Sequence, residues 1–250
     1  MKRSLLEIVR DILNDMDSDD VNFITDTVEA GQVAQIVKSC YFEMISNRNW
    51  PHLKHLAQLE HSGDPSKPTH LKLPENIKEL LSFNYQKSKV DGIIEYQPVI
   101  YKHPDDFLRL VSSKNANTVN VETVKDSSGV DLIVINNKAP SYWTSFDDNY
   151  LVCDSYNRDI EDTLQKRKTQ AIYYRMPKWV HLGDAIPDLP SEAFSALIEE
   201  AKSTAFLTLK QMGNEKAEQK ASRQQRWLSR KAWQASGGIQ YSDFGRRSKK

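Results

Sequence analysis

The chain has 250 residues, 39% hydrophobic and 27% charged, with 34 Lys or Arg against 34 Asp or Glu. That is enough for one large domain or two small ones, and no apolar run approaches the length of a membrane span. Cys40 and Cys153 are two isolated thiols, which fits a reducing compartment and argues against a disulfide scaffold.

The opening MKRSLLEIVRDIL sets acids among its apolar residues and reads as an amphipathic helix rather than a signal peptide. Leu5, Ile8, Val9, Ile12 and Met16 give it one apolar stripe. The acid-rich MDSDD after it is a loop. A second helix is expected from about Asp26 to Arg48, with Val33, Ile36, Val37, Cys40, Tyr41 and Met44 on one side, and Pro51 ends it. Cys40 sits on that stripe and so reads as core. Trp50, between a helix end and Pro51, is expected to be structural, sealing the junction between the helical bundle and a β-rich lobe.

From about Leu53 to Met176 the texture changes to short β-rich runs between Pro, Gly, Asp and Asn. Strands are expected at 56–60, 70–73, 94–101, 119–124, 132–135, 142–146, 150–154 and 169–174. Asp147-Asp148-Asn149 is the turn of a hairpin between two of them. Pro104 to Ser113 is a short helix.

Leu189 to Trp233 reads as two helices in series. Pro190, Ser191 and Glu192 form a start signal. Phe194, Leu197, Ile198, Ala201, Ala205, Leu209 and Met212 recur at steps of three and four. Phe206 and Leu207 fall off that stripe and point to a second packing surface, within the subunit or against a neighbour. Gly213 interrupts, and Asn214 with Glu215 restarts a helix. Its small stripe is Ala217, Ala221, Leu228, Ala232 and Ala235. Its other side gathers Lys220, Arg223, Arg226 and Arg230, with Trp227 and Trp233 at the edges. That side reads either as a solvated basic face or as a docking surface, because Trp and Arg dominate interface hot spots.

Charge is unevenly placed. Asn214 to Lys250 holds ten Lys or Arg and three acids, an excess of seven that the rest of the chain must balance. Such polarity suggests complementary contacts between copies or with a partner. The final stretch adds Tyr241, Phe244, Arg246 and Arg247 after the Gly237-Gly238 pair, with too little apolar content to fold alone.

No residues single out an enzyme. Asp105-Asp106 looks like a helix start and Asp147-Asp148 like a turn, so neither pair forms an acid/base site. His52, His55, His61 and His70 lack the companions of a zinc site and read as surface or strand-end residues. There is no glycine-rich phosphate loop and no Gly-x-Ser-x-Gly elbow. The expected fold class is α+β: a helical bundle from 1–52 and 177–235, a β-rich insertion at 53–176 and a flexible basic tail at 236–250.

The order of these elements resembles the head-to-tail adaptors of short-tailed bacteriophages, the tail tubular protein A family. The likeness rests on Arg48-Asn49-Trp50, on the hairpin YWTSFDDNYLVCDSY from Tyr142 to Tyr156, and on the helices from Pro187 to Trp233. It covers nearly the whole chain in order. The resemblance implies a virion structural protein that is made in the host cytoplasm and sits at the head–tail junction. It implies a ring of identical subunits, dodecameric as a rule, between portal protein and tail nozzle, with DNA passing through without sequence specificity. It implies no enzymatic activity and no cofactor. Within that reading, Arg223, Arg226, Trp227, Arg230, Trp233, Tyr241, Phe244, Arg246 and Arg247 are the partner-binding set, and Phe206 and Leu207 meet the next subunit. The alternatives are a nucleic-acid-binding protein using the basic C-terminal segment, and a hydrolase with the β lobe as its active domain.

Overall fold

The computed structural model describes residues 2–90, 93–158 and 169–235; the side chains of 88–90, 93, 94 and 230–235 are outside that description. The chain opens with helices α1 (Leu5–Asp15) and α2 (Val28–Ser46) and a single turn of 3-10 helix at Pro51–Leu53. Strands β1 (Lys54–Ala57), β2 (Glu60–His61), β3 (His70–Lys72), β4 (Ile77–Val90), β5 (Ile93–Pro98) and β6 (Ile100–Tyr101) follow, then α3 (Pro104–Ser112). Next come β7 (Val121–Lys125), β8 (Asp131–Ile135), β9 (Tyr142–Thr144), β10 (Tyr150–Cys153) and β11 (Thr169–Arg175). Helices α4 (Phe194–Leu209) and α5 (Glu215–Ala235) complete an α+β fold. It divides into two units, 1–53 with 177–250, and 54–176.

In the helical unit, α2 packs on α1 and α4, and α4 packs on α5. Ser4 caps α1: its hydroxyl accepts from Glu7 N at 3.3 Å, and its own N–H donates to the Glu7 carboxylate at 2.8 Å. This reciprocal pair satisfies donors that a helix start leaves open. Two more go to the segment before α4, Leu5 N to Ala185 O and Leu6 N to Gly183 O, both at 2.8 Å. The expected α1 stripe is buried throughout, and so is that of α2 apart from half-buried Ile36. Cys40 is core, and burial pushes its thiol up to about 11. Trp50 is only 4% exposed, and its indole N–H donates to Met44 O at 3.1 Å.

Three local expectations need correcting. Pro190, Ser191 and Glu192 form a turn closed by Ala193 N to Pro190 O at 2.9 Å, and α4 begins only at Phe194, without a side-chain cap. Met212 is 65% exposed rather than on the α4 stripe, because that helix stops at Leu209. The reversal that stops it uses Gln211 at φ 53°, a left-handed conformation, and Gly213 adopts none. Both Lys210 N and Met212 N then donate to Phe206 O.

The β lobe has a four-stranded sheet β1-β11-β4-β5, a five-stranded sheet β2-β3-β10-β9-β6 and the hairpin β7-β8. All pairs are antiparallel except β6 with β9. Phe83, Tyr85, Leu132, Val134 and Leu151 share one core with Phe107 and Val111 of α3. The expected hairpin is present, with Val152 opposite Thr144. Asp148 turns it at φ 57°, and the Asp147 carboxylate accepts from Asn149 N and Tyr150 N, each at 3.0 Å. The longest strand, β4, was not expected. Its ladder skips a residue near Lys78, Leu81 and Lys87, where register shifts occur. Each bulge resets which side faces the core, so the period-2 pattern is lost in the sequence although the strand is continuous.

Candidate interaction surface

The C-terminal helix α5 is held to its bundle by small side chains inside and polar ties around them. Asn214 caps it, accepting from Ala217 N at 3.1 Å. Ala217, Ala221 and Leu228 are buried, the small residues letting α5 approach α4 closely. Lys220 pairs with Glu199 at 3.2 Å, and Gln225 donates to Glu200 at 3.1 Å.

A third tie comes from Arg48. Its guanidinium donates to Ser229 Oγ at 2.6 Å and to Gln225 O at 3.4 Å, and stacks over the Trp50 ring with 4.9 Å to the centroid. Burial pulls the Arg48 guanidinium below its ordinary pKa, yet no protein pH discharges an arginine. Arg48, Trp50, Cys40, Glu43, Glu200 and Leu228 line a cavity of about 170 Å³. Burial raises the Glu200 carboxyl, as do its acidic neighbours Glu43 and Glu218. Arg48-Asn49-Trp50 is therefore a clasp between the end of α2 and α5. Spacing alone did not reveal it, because its partner Ser229 lies some 180 residues downstream.

With one side pinned, the other side of α5 faces outward. Arg223 and Arg226 are exposed, and Trp227 is 47% exposed. Arg230 and Trp233 lie on the same helix, but their side chains, with those of Ala232 and Ala235, fall outside the described residues. So do Gly237, Gly238, Tyr241, Phe244, Arg246, Arg247 and the whole expected tail at 236–250. Of the off-stripe pair on α4, Leu207 is 65% exposed and Phe206 half-buried.

A second surface forms around α1 and the loop after it. Asp15, Asp17, Asp19, Asp20 and Asp26 are exposed there. Arg10 reaches back to Val21 O at 2.6 Å and Asp20 at 3.7 Å, and Asp26 accepts from Asn22 N and Phe23 N, at 2.7 and 2.8 Å. These bonds fold the loop so that Phe23 stands 68% exposed. Phe23, Ile24, Leu6, Leu182, Gly183 and Asp184 line an open depression of about 540 Å³. The segment before α4 adds exposed Val180, Leu182 and Ile186. Periodicity does not mark that segment, because its apolar residues follow no period; their density between Pro177 and Pro190 was the available signal.

The residues weighed for chemistry go to separate tasks. Asp105 and Asp106 sit in the first turn of α3. His52 contacts Asp188 O at 3.1 Å, His55 lies against Tyr173, His61 contacts Lys67 O at 3.2 Å, and buried His70 meets Asp126 at 3.0 Å. Among the described residues no three His, Cys, Asp or Glu gather as metal ligands. A depression of the β lobe, about 650 Å³, includes Lys72, Lys78, Tyr101, Trp143, Asp148 and Tyr150 in its lining, without a histidine or cysteine. No described helix is long and apolar enough to cross a membrane. Comparison of the chain with protein-family models and with curated proteins gave no match.

Proposed function

We propose that the chain is a virion structural protein, a head-to-tail adaptor whose ring joins portal protein to tail nozzle and surrounds the genome passage. It works without enzymatic chemistry and without a cofactor. The observation that carries this reading is the arrangement of the helical unit. Two helices from each end of the chain form one bundle, and the Arg-x-Trp element clasps the last helix so that an Arg/Trp face points outward. An adaptor needs fixed surfaces for its neighbours and a reaching segment for the next ring. The face of α5 with Arg223, Arg226 and Trp227 is of the first kind, and exposed Leu207, with half-buried Phe206, extends the subunit-contact area. The sequence beyond α5, with Tyr241, Phe244, Arg246 and Arg247, is of the second kind and docks on the portal. Electron micrographs of the purified protein, alone and mixed with its portal, test this. Closed rings that stack on the portal are expected, and their absence in both samples would defeat the reading.

A second reading has its own support in the seven-charge excess of Asn214 to Lys250: the segment binds nucleic acid. Neutralising several phosphates makes affinity fall steeply with salt, whereas aromatic anchors at a protein interface lose mainly association rate. Deleting Ser236 to Lys250 separates the two. Loss of portal binding supports the adaptor, while loss of DNA affinity alone supports its rival.

A further inference from the structure

We infer that the outward face of α5 in one copy docks on the acidic flank of a second copy, with Trp227 seated in the depression between Phe23 and Leu182. This rests on the ring reading and supplies the pair of surfaces that a ring of identical subunits requires.

The first argument is placement. Helix α1 packs on α2 and α4, α5 packs on α4, and among the described residues α1 and α5 form no packed pair with each other. Glu200 and Lys202, roughly 200° apart around α4, reach Gln225 of α5 and Asp15 of α1, at 3.1 and 2.6 Å. The two surfaces therefore lie on opposite flanks of one bundle. Surfaces so placed cannot satisfy each other within a copy. Repeated between copies, they give a head-to-tail contact that closes into a ring when the rotation allows.

The second argument is charge. Helix α5 presents exposed Arg223 and Arg226; exposed Asp184 lines the depression, and exposed Asp17 and Asp19 stand in the loop that leads from α1 to Phe23. Opposite potentials steer encounter and set the register.

The third is apolar fit. Trp227 is large and 47% exposed on one flank; Phe23 and Leu182 are 68% and 59% exposed around a depression of about 540 Å³ on the other. A Trp entering an apolar pocket edged by a carboxylate has the anatomy of an interface hot spot.

The experiment uses charge reversal in the full chain. One variant carries Arg223→Glu with Arg226→Glu, another Asp19→Lys with Asp184→Lys. A third carries all four changes, and Trp227→Ala tests the apolar anchor. All sites are exposed, and circular dichroism checks that each variant folds. Sedimentation velocity over a concentration series reads association. The wild type is expected to self-associate, and each two-site variant to need at least about tenfold more protein for half-association. An equimolar mixture of the two, and the four-site variant, should return to near wild type, because each restores an acid–base pair. Trp227→Ala should weaken association to a similar degree. Rings that form unchanged in both two-site variants would overturn this pairing and leave the adaptor reading intact. So would impairment that neither the mixture nor the four-site variant repairs. A wild-type chain that stays monomeric alone and with portal would overturn both. If one two-site variant does not fold, the other and Trp227→Ala decide: no change in either overturns the proposal.

Discussion

The two units place their polar groups in opposite ways. Every buried polar residue among those described, namely Thr69, His70, Gln86, Thr144, Asp154, Ser155 and Thr169, lies in the β lobe. The helical unit buries apolar stripes, with the Trp50 indole as a buried donor, and keeps its charged side chains at the rim, as in the pairs Lys202–Asp15 and Lys220–Glu199. The difference follows from the backbone. Helices satisfy their own ladders and need help only at the ends. A lobe of short strands, bulges and crossing loops leaves N–H and C=O groups inside, and side chains must meet them. Thr169 shows this. Its hydroxyl accepts from Leu59 N at 2.8 Å and donates to Leu59 O at 3.1 Å, serving a residue between two strands.

The largest effect should come from the helical core. Trp50→Ala removes a buried ring, an indole hydrogen bond and the platform under Arg48. It should cost about 3–5 kcal/mol in thermal or denaturant unfolding, and an unchanged melting temperature would break the contrast at its apolar end.

Next comes the β lobe. The Asp154 carboxylate accepts from Ser141 N and Tyr142 N, each at 2.9 Å. Asp154→Ala orphans both donors, at about 1–3 kcal/mol each. Replacing Thr169 by Val should cost about 1–3 kcal/mol by the same reasoning. If either variant unfolds like the wild type, buried polar pins are not what holds this lobe.

A smaller effect depends on pH. Burial would raise the Asp126 carboxyl, but hydrogen bonds from His70 and from the backbone and hydroxyl of Ser128 outweigh it and hold it below the usual carboxylate range. A carboxyl depressed on folding stabilises the folded state above its unfolded pKa, near 4, and loses that contribution as pH falls through the folded value. Asp126→Asn should therefore flatten the acid limb of the stability curve below about pH 4. Parallel acid limbs in wild type and variant would show that the hydrogen bonds to Asp126 carry no linkage.

The smallest effect belongs to the rim. Lys220→Ala breaks an exposed pair and should shift unfolding by about 0.5 kcal/mol or less. A loss above about 2 kcal/mol would mean that rim charges hold α5 in place, contrary to the contrast between an apolar helical core and a polar-pinned lobe.

Helix periodicity was legible because one residue in three or four faces the core without interruption, as in Leu5, Ile8, Val9 and Ile12. The Ser-x-x-Glu pattern at Ser4 to Glu7 likewise spells the capping pair that opens α1. In the β lobe, short strands between turn residues were legible, and the α+β class with them. The strand β4 was hidden by its bulges. The boundary near Pro190 differs because Pro190 closes a turn onto Ala193 before α4 opens, and that near Met212 because a left-handed Gln211, which nothing in a glutamine announces, reverses the chain. For the proposed interface, composition points to α5 but not to the depression at Phe23 and Leu182. Phe23 and Leu182 come together only through the bonds that fold the 16–27 loop and tie α1 to Gly183 and Ala185.

The pairing of β1 with β11 has a consequence for how the chain folds. Lys54 stands opposite Tyr174, so the first and last strands of the β lobe are neighbours in one sheet. Helices α2 and α4 are separated in sequence by roughly 150 residues, and closing so long a loop costs about 4 kcal/mol in chain entropy. Once β1 meets β11, that loop is already closed, and the two halves of the bundle search for each other over short tethers. The apolar faces of α1 and α2 must wait for α4, which leaves the ribosome well after them, so they are exposed during synthesis. A β lobe that folds early shortens that exposure. Variants that unpair β1 from β11 should slow formation of the helical unit, although they alter none of its residues.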